Sequence, residues 1–148
     1  MKVSSELLSE SWDEIMPLAE AHYLEIAHYQ DIPLDPDRER YKALEDGGQL
    51  RYFTLRNEVG ALVGYCIFVV ARHLHYSGSV QAMQDVLFLL PEYRGAYIGK
   101  EFISHCDNEL RAERIEAVYH HMKAKRSFGP LLESLGYELI DLVYGRRL

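Results

Sequence analysis

Apolar residues recur at helical spacing at Trp12, Ile15, Met16, Ala19, Tyr23, Ile26 and Ala27, which predicts an amphipathic helix within residues 12–28 with one face in a core. Two starts fit it. Ser11-x-x-Glu14 has the form of a capping box, whereas Pro17 favours a start at its own position, where a missing N–H costs no internal hydrogen bond. Residues 1–10 carry weak signals and fit either a short strand or an unstructured end. Residues 31–37 hold two prolines and three aspartates and read as a loop. Residues 38–46 read as a short charged helix stopped by Gly47-Gly48.

The period then changes. Residues 49–57 alternate and are rich in aromatic and β-branched side chains, and 61–72 form a second apolar run after the turn at 57–60, so the two read as an antiparallel hairpin. A polar connection, 73–79, leads to a central strand at 80–90. A helix follows at 98–113 with Ile98, Phe102, Ile103, Cys106 and Leu110 on one face, then a strand at 115–122. A short helix at 131–135 is capped by Gly136, and a last strand spans 137–144. Strand, helix, strand, helix, strand predicts parallel pairing in the second half, while the first half is antiparallel. The fold class is α/β with a mixed sheet, and 148 residues fit one domain, 1–148.

Charge is uneven along the chain. The net charge is −7, yet residues 1–50 hold 4 basic and 12 acidic groups while the rest holds 12 basic and 11 acidic. Such an acidic first third argues against nucleic acid as a partner. It fits either a cationic acceptor or a solvated helix face. No apolar run approaches the roughly 20 residues of a membrane helix, and the first residues lack a signal-peptide pattern, so a cytoplasmic protein without membrane contact is expected. Cys66 and Cys106 fall on apolar faces and read as buried thiols. His73 and His75 have the spacing of a metal pair but no acidic or cysteine ligand near them, so no metal is expected.

One stretch stands apart, QDVLFLLPEYRGAYIGKE at 84–101. A strand-length apolar run ends at Pro91, a glycine-bearing turn follows, and a helix opens at Ile98. Strand, turn and helix start in that order gather unpaired main-chain N–H groups at the positive end of a helix dipole, which is an anion site suited to phosphate.

FLLPEYRGAYIGKEFI within it resembles the acetyl-coenzyme A loop of the GNAT superfamily of N-acetyltransferases, whose pattern is Gln/Arg-x-x-Gly-x-Gly/Ala. Arg94 and Gly99 fill its outer positions, and Tyr97 stands where the middle glycine is usual. The order of elements agrees over roughly residues 12–148. The ending GPLLESLGYELIDLVYGRRL also resembles small acetyltransferases of tailed phages. The resemblance implies a mixed sheet of about six to seven strands with helices on both faces. It also implies acetyl-coenzyme A as co-substrate and a primary amine, small molecule or protein, as acceptor in a ternary complex. Homodimers are common in the family.

It also implies roles for residues. Main-chain N–H groups of Gly95, Ala96, Tyr97, Ile98, Gly99 and Lys100 would cradle the diphosphate, with Arg94 opening the loop. A bulge at about Leu89, next to Leu90, would aim an N–H at the thioester carbonyl. Asp85 stands where the family puts a general-base glutamate, and apolar Val86, Leu87 and Phe88 beside it would desolvate it and raise its pKa. Its alternative is to pair with an arginine or end a strand. His120 and His121 point to opposite faces of their strand, so one of them would look into the cleft, as a base or as plain structure. The family's general-acid tyrosine is replaced by Leu132 and a common asparagine by Lys125. The leaving thiolate would then take its proton from Tyr119, Tyr137, a histidine or water. Alternatively the chain is a catalytically weak or inactive module that binds acyl-coenzyme A or a protein partner. A dinucleotide site is disfavoured, because no glycine-rich turn follows an early strand.

Overall fold

The computed structural model describes residues 1–95 and 97–148. Five strands form one sheet in the order β1-β2-β3-β4-β5: β1 is Lys2–Glu6, β2 Leu50–Arg56, β3 Leu62–Arg72, β4 Val80–Leu89 and β5 Ala117–Tyr119. The first three pairings are antiparallel, and β4 pairs with β5 in parallel. Helices α1 (Leu8–Ile26) and α2 (Arg38–Asp46) precede the hairpin, α3 (Ile98–Ala112) links β4 to β5, and α4 (Gly129–Glu133) follows β5. None of the described helices is long and apolar enough to cross a membrane.

Strand β3 is buried along most of its length because both of its faces are covered. On one side Phe53, Phe68, Phe102, Cys106 and Leu110 form a core under α3. On the other, Leu8, Ile15, Leu18, Tyr52, Tyr65, Ile67 and Phe88 form a core under α1. Cys66 and Cys106 are free buried thiols that touch, and burial pushes the Cys66 thiol up.

Helix α1 starts four residues earlier than its apolar period. Its cap is tertiary: the Glu45 carboxylate of α2 accepts the N–H groups of Leu8 and Ser9, while Ser11 is buried and donates its hydroxyl to Glu6. No capping box forms, and Pro17 sits inside the helix. The last predicted strand is not formed. Residues 137–148 contain no strand, and β5 is three residues long rather than eight, so the sheet has five strands where six to seven were expected. The alternation in 137–144 records a propensity, but a strand also needs a neighbour, and among the described residues none pairs with it.

Arg56 donates to both Glu6 and Glu14 at the β1–β2 end of the sheet. Its hydrogen bonds, opposed by burial, pull the Glu6 carboxyl down to about 2. A folded-state value below the unfolded one means that this stability is complete above the ordinary carboxylate range and is lost as pH falls through it. Because the pair is partly exposed, about 1–2 kcal/mol is expected. In urea melts between neutral pH and pH about 2, Glu6→Gln should lose less stability than the parent by that amount; parallel losses would show that the pair contributes nothing.

Candidate active site at the β4–β5 fork

Parallel pairing between β4 and β5 runs only from Gln81–Ala117 to Met83–Tyr119, after which the strands part. Just beyond, the β3–β4 register skips one residue, from Phe68–Gln84 to Ile67–Val86. Asp85 is the extra residue, a β-bulge, and it reverses which main-chain groups face which way. Before it, the Val80 carbonyl accepts the N–H of Glu116 from the β5 side, so even-numbered residues face β5. After it, the Leu90 N–H donates to Val63 of β3, so odd-numbered residues face the open side. Leu87 and Leu89 therefore turn their N–H groups into the fork, roughly 7 Å apart.

The bulge thus lies at Asp85 and not at Leu89, which pairs in register with Gly64. The N–H groups it turns outward, at Leu87 and Leu89, lie two and four residues further along the strand. Leu90 offers no main-chain donor, since its N–H is spent on Val63 and its carbonyl accepts from Tyr93. Behind Leu89 the strands are tight: a Cβ on Gly64 would lie 2.9 Å from Leu89 Cγ and 3.0 Å from the Phe88 carbonyl. Gly64→Ala should cost about 1–3 kcal/mol by overpacking, read as a lower thermal midpoint; an unchanged midpoint would mean that β4 yields freely there.

A polar latch holds the fork. Gln84 is 5% exposed and donates its side-chain N–H to the His121 carbonyl at 3.2 Å. That orientation turns its Oε1 to His120 Nδ1 at 2.6 Å, so Nδ1 carries the hydrogen. His120 Nε2 is then a buried acceptor with no partner among the described residues. The ring packs edge-on against Phe68 and Tyr137, and burial lowers its pKa to about 4. His120 thus points into the α3-side core. His121 lies outside β5 and is exposed. Tyr137 donates its hydroxyl to Asp107 of α3 at 2.6 Å; burial first and Asp107 second push its pKa upward, and burial raises that of Asp107.

On the opposite face Asp85 is exposed, against the expected desolvation, and accepts the Tyr41 hydroxyl from α2. The bulge puts Asp85 and Val86 on this same face, which no regular strand would do. Burial and then Asp85 push the Tyr41 pKa up. Tyr41 also walls a cavity of about 160 Å³ between α1 and α2, with Trp12 at 5.9 Å and Glu45 on its rim.

At the far end of β4, a turn of 3₁₀ helix at Pro91–Tyr93 leads to the loop. Arg94 is not free to meet an anion: its guanidinium pairs with Glu25 of α1 at 2.6 and 2.8 Å, and its Nε donates to the Leu89 carbonyl at 2.8 Å. It also lies over Phe88, which His22 covers at 4.9 Å, and burial lowers His22 to about 4. Ala96 lies outside the described residues. Tyr97 is 79% exposed and precedes α3 without a side-chain cap. Among the described residues the first helical bond runs from Glu101 to the Tyr97 carbonyl, and no main-chain acceptor is found there for the N–H groups of Ile98, Gly99 and Lys100. Gly95 is exposed, and a Cβ there would meet only Ile98 Cδ1 at 4.0 Å. Gly99 is packed, with Leu131 Cδ2 3.3 Å from its would-be Cβ.

The overall fold recurs in solved structures. An aminoglycoside acetyltransferase from an uncultured soil sample, in complex with sisomicin, superposes with a TM-score of 0.75 at 16% identity over 99% of this chain and 95% of that one. The chain has the GNAT fold. A ribosomal-protein-alanine N-acetyltransferase from Brucella melitensis shares the GNAT fold with a TM-score of 0.71 at 18% identity, each chain covered over 100% of its length. A putative acetyltransferase from Agrobacterium tumefaciens gives 0.75 at 14%, again over 100% of both chains. No family model matches the sequence, and no curated protein matches it.

Of the predicted residues, the GNAT fold gathers Leu89, Gly95, Tyr97, Ile98, Gly99 and Lys100 along one rim of the fork, and puts Asp85 and His120 on opposite faces of the sheet. Gln84, Tyr41, Glu25 and His22 were missed. Gln84 had a signal, a lone amide inside an apolar run, which must find partners if buried. The other three act from α1 or α2 on β4 or the loop after it, across 44 residues or more of chain, and leave no local pattern.

Proposed function

We propose that the chain is an N-acetyltransferase that passes acetyl from acetyl-coenzyme A to an amine within a ternary complex. The observation that carries this reading is the fork itself, with two outward main-chain donors on β4 leading to the uncapped start of α3. The diphosphate of coenzyme A would accept from Gly95, Ile98, Gly99 and Lys100, whose N–H groups are already oriented. Its pantetheine arm would run along β4, and Leu87 or Leu89 would donate to the thioester carbonyl, a bond that strengthens as charge grows on that oxygen.

The amine would come from the α1–α2 face. Asp85 lies roughly 13 Å along the strand from Leu89 and about half that from Leu87, so it would take the amine proton through water. As nitrogen attacks, the C–N bond forms, the C–S bond breaks, and the thiolate leaves. His120 is a poor candidate for any proton transfer: neutral at pH 7, its one hydrogen is committed to Gln84. Tyr137 is raised by burial and committed to Asp107, so water is the better proton source for the thiolate. His120 is then a positioning residue that holds the fork open.

Calorimetry with acetyl-coenzyme A, followed by release of free thiol over an amine panel, tests the reading. Because a soil-sample neighbour is named for aminoglycosides and the Brucella one for a protein alanine, the panel should span aminoglycosides, polyamines and peptide N-termini. Binding followed by thiol release is expected. Leu132, buried where the family's acid tyrosine would stand, favours a second reading as a binding module. Binding without thiol release above background would select it, and absence of binding would remove both.

A further inference from the structure

We propose that Arg94, held in place by Glu25, is a positioning residue: it closes off the Leu89 carbonyl and so leaves the Leu89 N–H as the open main-chain group at the loop end of β4. This role rests on the acetyl-transfer reading, in which the pantetheine arm would pass Leu89. An arginine at the head of a phosphate loop would ordinarily serve the anion. Here its donors are spent on the protein. Pro91 starts a turn in which the Tyr93 N–H donates to the Leu90 carbonyl and the Arg94 N–H to the Pro91 carbonyl, and this reversal carries the Arg94 side chain back over the strand it has just left. Its Nε donates to the Leu89 carbonyl at 2.8 Å, its two terminal nitrogens donate to the two Glu25 oxygens at 2.8 and 2.6 Å, and its central carbon lies 5.2 Å from the centre of the Phe88 ring. A forked pair of this kind fixes position as well as charge. The Arg94 bonds hold the Glu25 carboxyl below its ordinary range, so both partners are charged at neutral pH.

Strand geometry gives these bonds their consequence. Leu89 stands opposite Gly64, and the Leu90 N–H goes to Val63, so the N–H and the carbonyl of Leu89 both look into the fork. Without Arg94, that end of the strand would show a ligand one donor and one acceptor side by side. A carbonyl of the cofactor arm would gain the donor but be repelled by the acceptor, and covering the Leu89 oxygen without a partner would weaken binding by about tenfold or more. Arg94 satisfies that oxygen before the cofactor arrives. Glu25 in turn keeps Arg94 from leaving it for the diphosphate, which makes α1 part of the cofactor site without touching the cofactor.

Calorimetry with acetyl-coenzyme A and with its nucleotide half, phosphoadenosine diphosphate, tests the role, because only the whole cofactor would cover Leu89. Arg94→Gln and Arg94→Lys should each weaken acetyl-coenzyme A by about tenfold and leave the nucleotide half within about twofold, since neither side chain can serve the Leu89 carbonyl and both Glu25 oxygens at once. Glu25→Ala should weaken acetyl-coenzyme A by about threefold or more, although it frees a cation beside the loop. An anion-binding arginine predicts a different pattern: Arg94→Lys binds like the parent, Arg94→Gln weakens the nucleotide half, and Glu25→Ala binds more tightly. That pattern overturns the proposal, as do equal losses for both ligands, which a merely structural role gives, or no loss for either. A parent chain that does not bind acetyl-coenzyme A removes the acetyl-transfer reading and this role together, whereas a parent that binds it, with variants that follow a wrong pattern, removes this role alone.

Discussion

Asp85→Asn should lower the rate of acetyl transfer by about 100-fold or more while leaving the affinity for acetyl-coenzyme A within about twofold, since a positioned base typically contributes 10²–10⁴ in rate. The argument rests on where the bulge lies. A regular strand would point residues 85 and 86 to opposite faces; the extra residue turns both toward α1 and α2, and Asp85 alone of the pair is ionisable. Tyr41 fixes the carboxylate by donating its hydroxyl, so one oxygen stays free for water or for the incoming amine. Asparagine keeps the size and the bond to Tyr41 but cannot accept a proton, and Asp85 is exposed, so the fold has little to lose. The decisive measurement is thiol release against pH at saturating acetyl-coenzyme A for both proteins. If the two profiles have the same shape and height, Asp85 only anchors Tyr41, and the amine reaches the thioester without its help.

What could be read from the sequence divides by the range of the forces involved. The helix of 98–112 and the strands of 50–56, 62–72 and 80–89 were legible because one apolar period per element records burial on both faces of the sheet. The loop at 94–100 was legible for the same reason, since strand, glycine turn and helix start are neighbours in the chain. The site around it was not. Arg94 looked like an anion ligand until Glu25, 69 residues away, claimed its guanidinium. The bulge was expected at about Leu89 by position within the family pattern, but the parity change happens at Asp85, and only the register with β3 fixes that. His120 is largely buried and His121 exposed, but both lie beyond the end of β5, and it is Gln84 of β4 that engages the two. The segment 137–144 shows the limit most plainly: its alternation promises a strand and says nothing of the neighbour a strand requires.

Gly95→Glu should abolish acetyl-coenzyme A binding, weakening it by about 100-fold or more, without unfolding the protein. Three observations isolate the effect. Gly95 is exposed, its φ is not positive, and a Cβ there touches nothing nearer than Ile98 Cδ1 at 4.0 Å, so the fold tolerates a side chain and stability should stay within about 0.5 kcal/mol. A carboxylate at this point sits beside the first-turn N–H groups of α3, where it would take the place proposed for the diphosphate and repel what remains of it, and like-charge juxtaposition of this kind costs several kcal/mol. Arg94 cannot compensate, being held by Glu25. Gly99→Glu would not serve, because its side chain would press on Leu131 at 3.3 Å and confound binding with packing. Gly95→Ala is the control for lost backbone freedom and should bind within about threefold of the parent, as expected for an unstrained position. Calorimetry on the three proteins, with thermal melts beside it, decides the matter. A Gly95→Glu protein that still binds acetyl-coenzyme A like the parent would place the diphosphate elsewhere, and the loop between β4 and α3 would then be a turn that binds nothing.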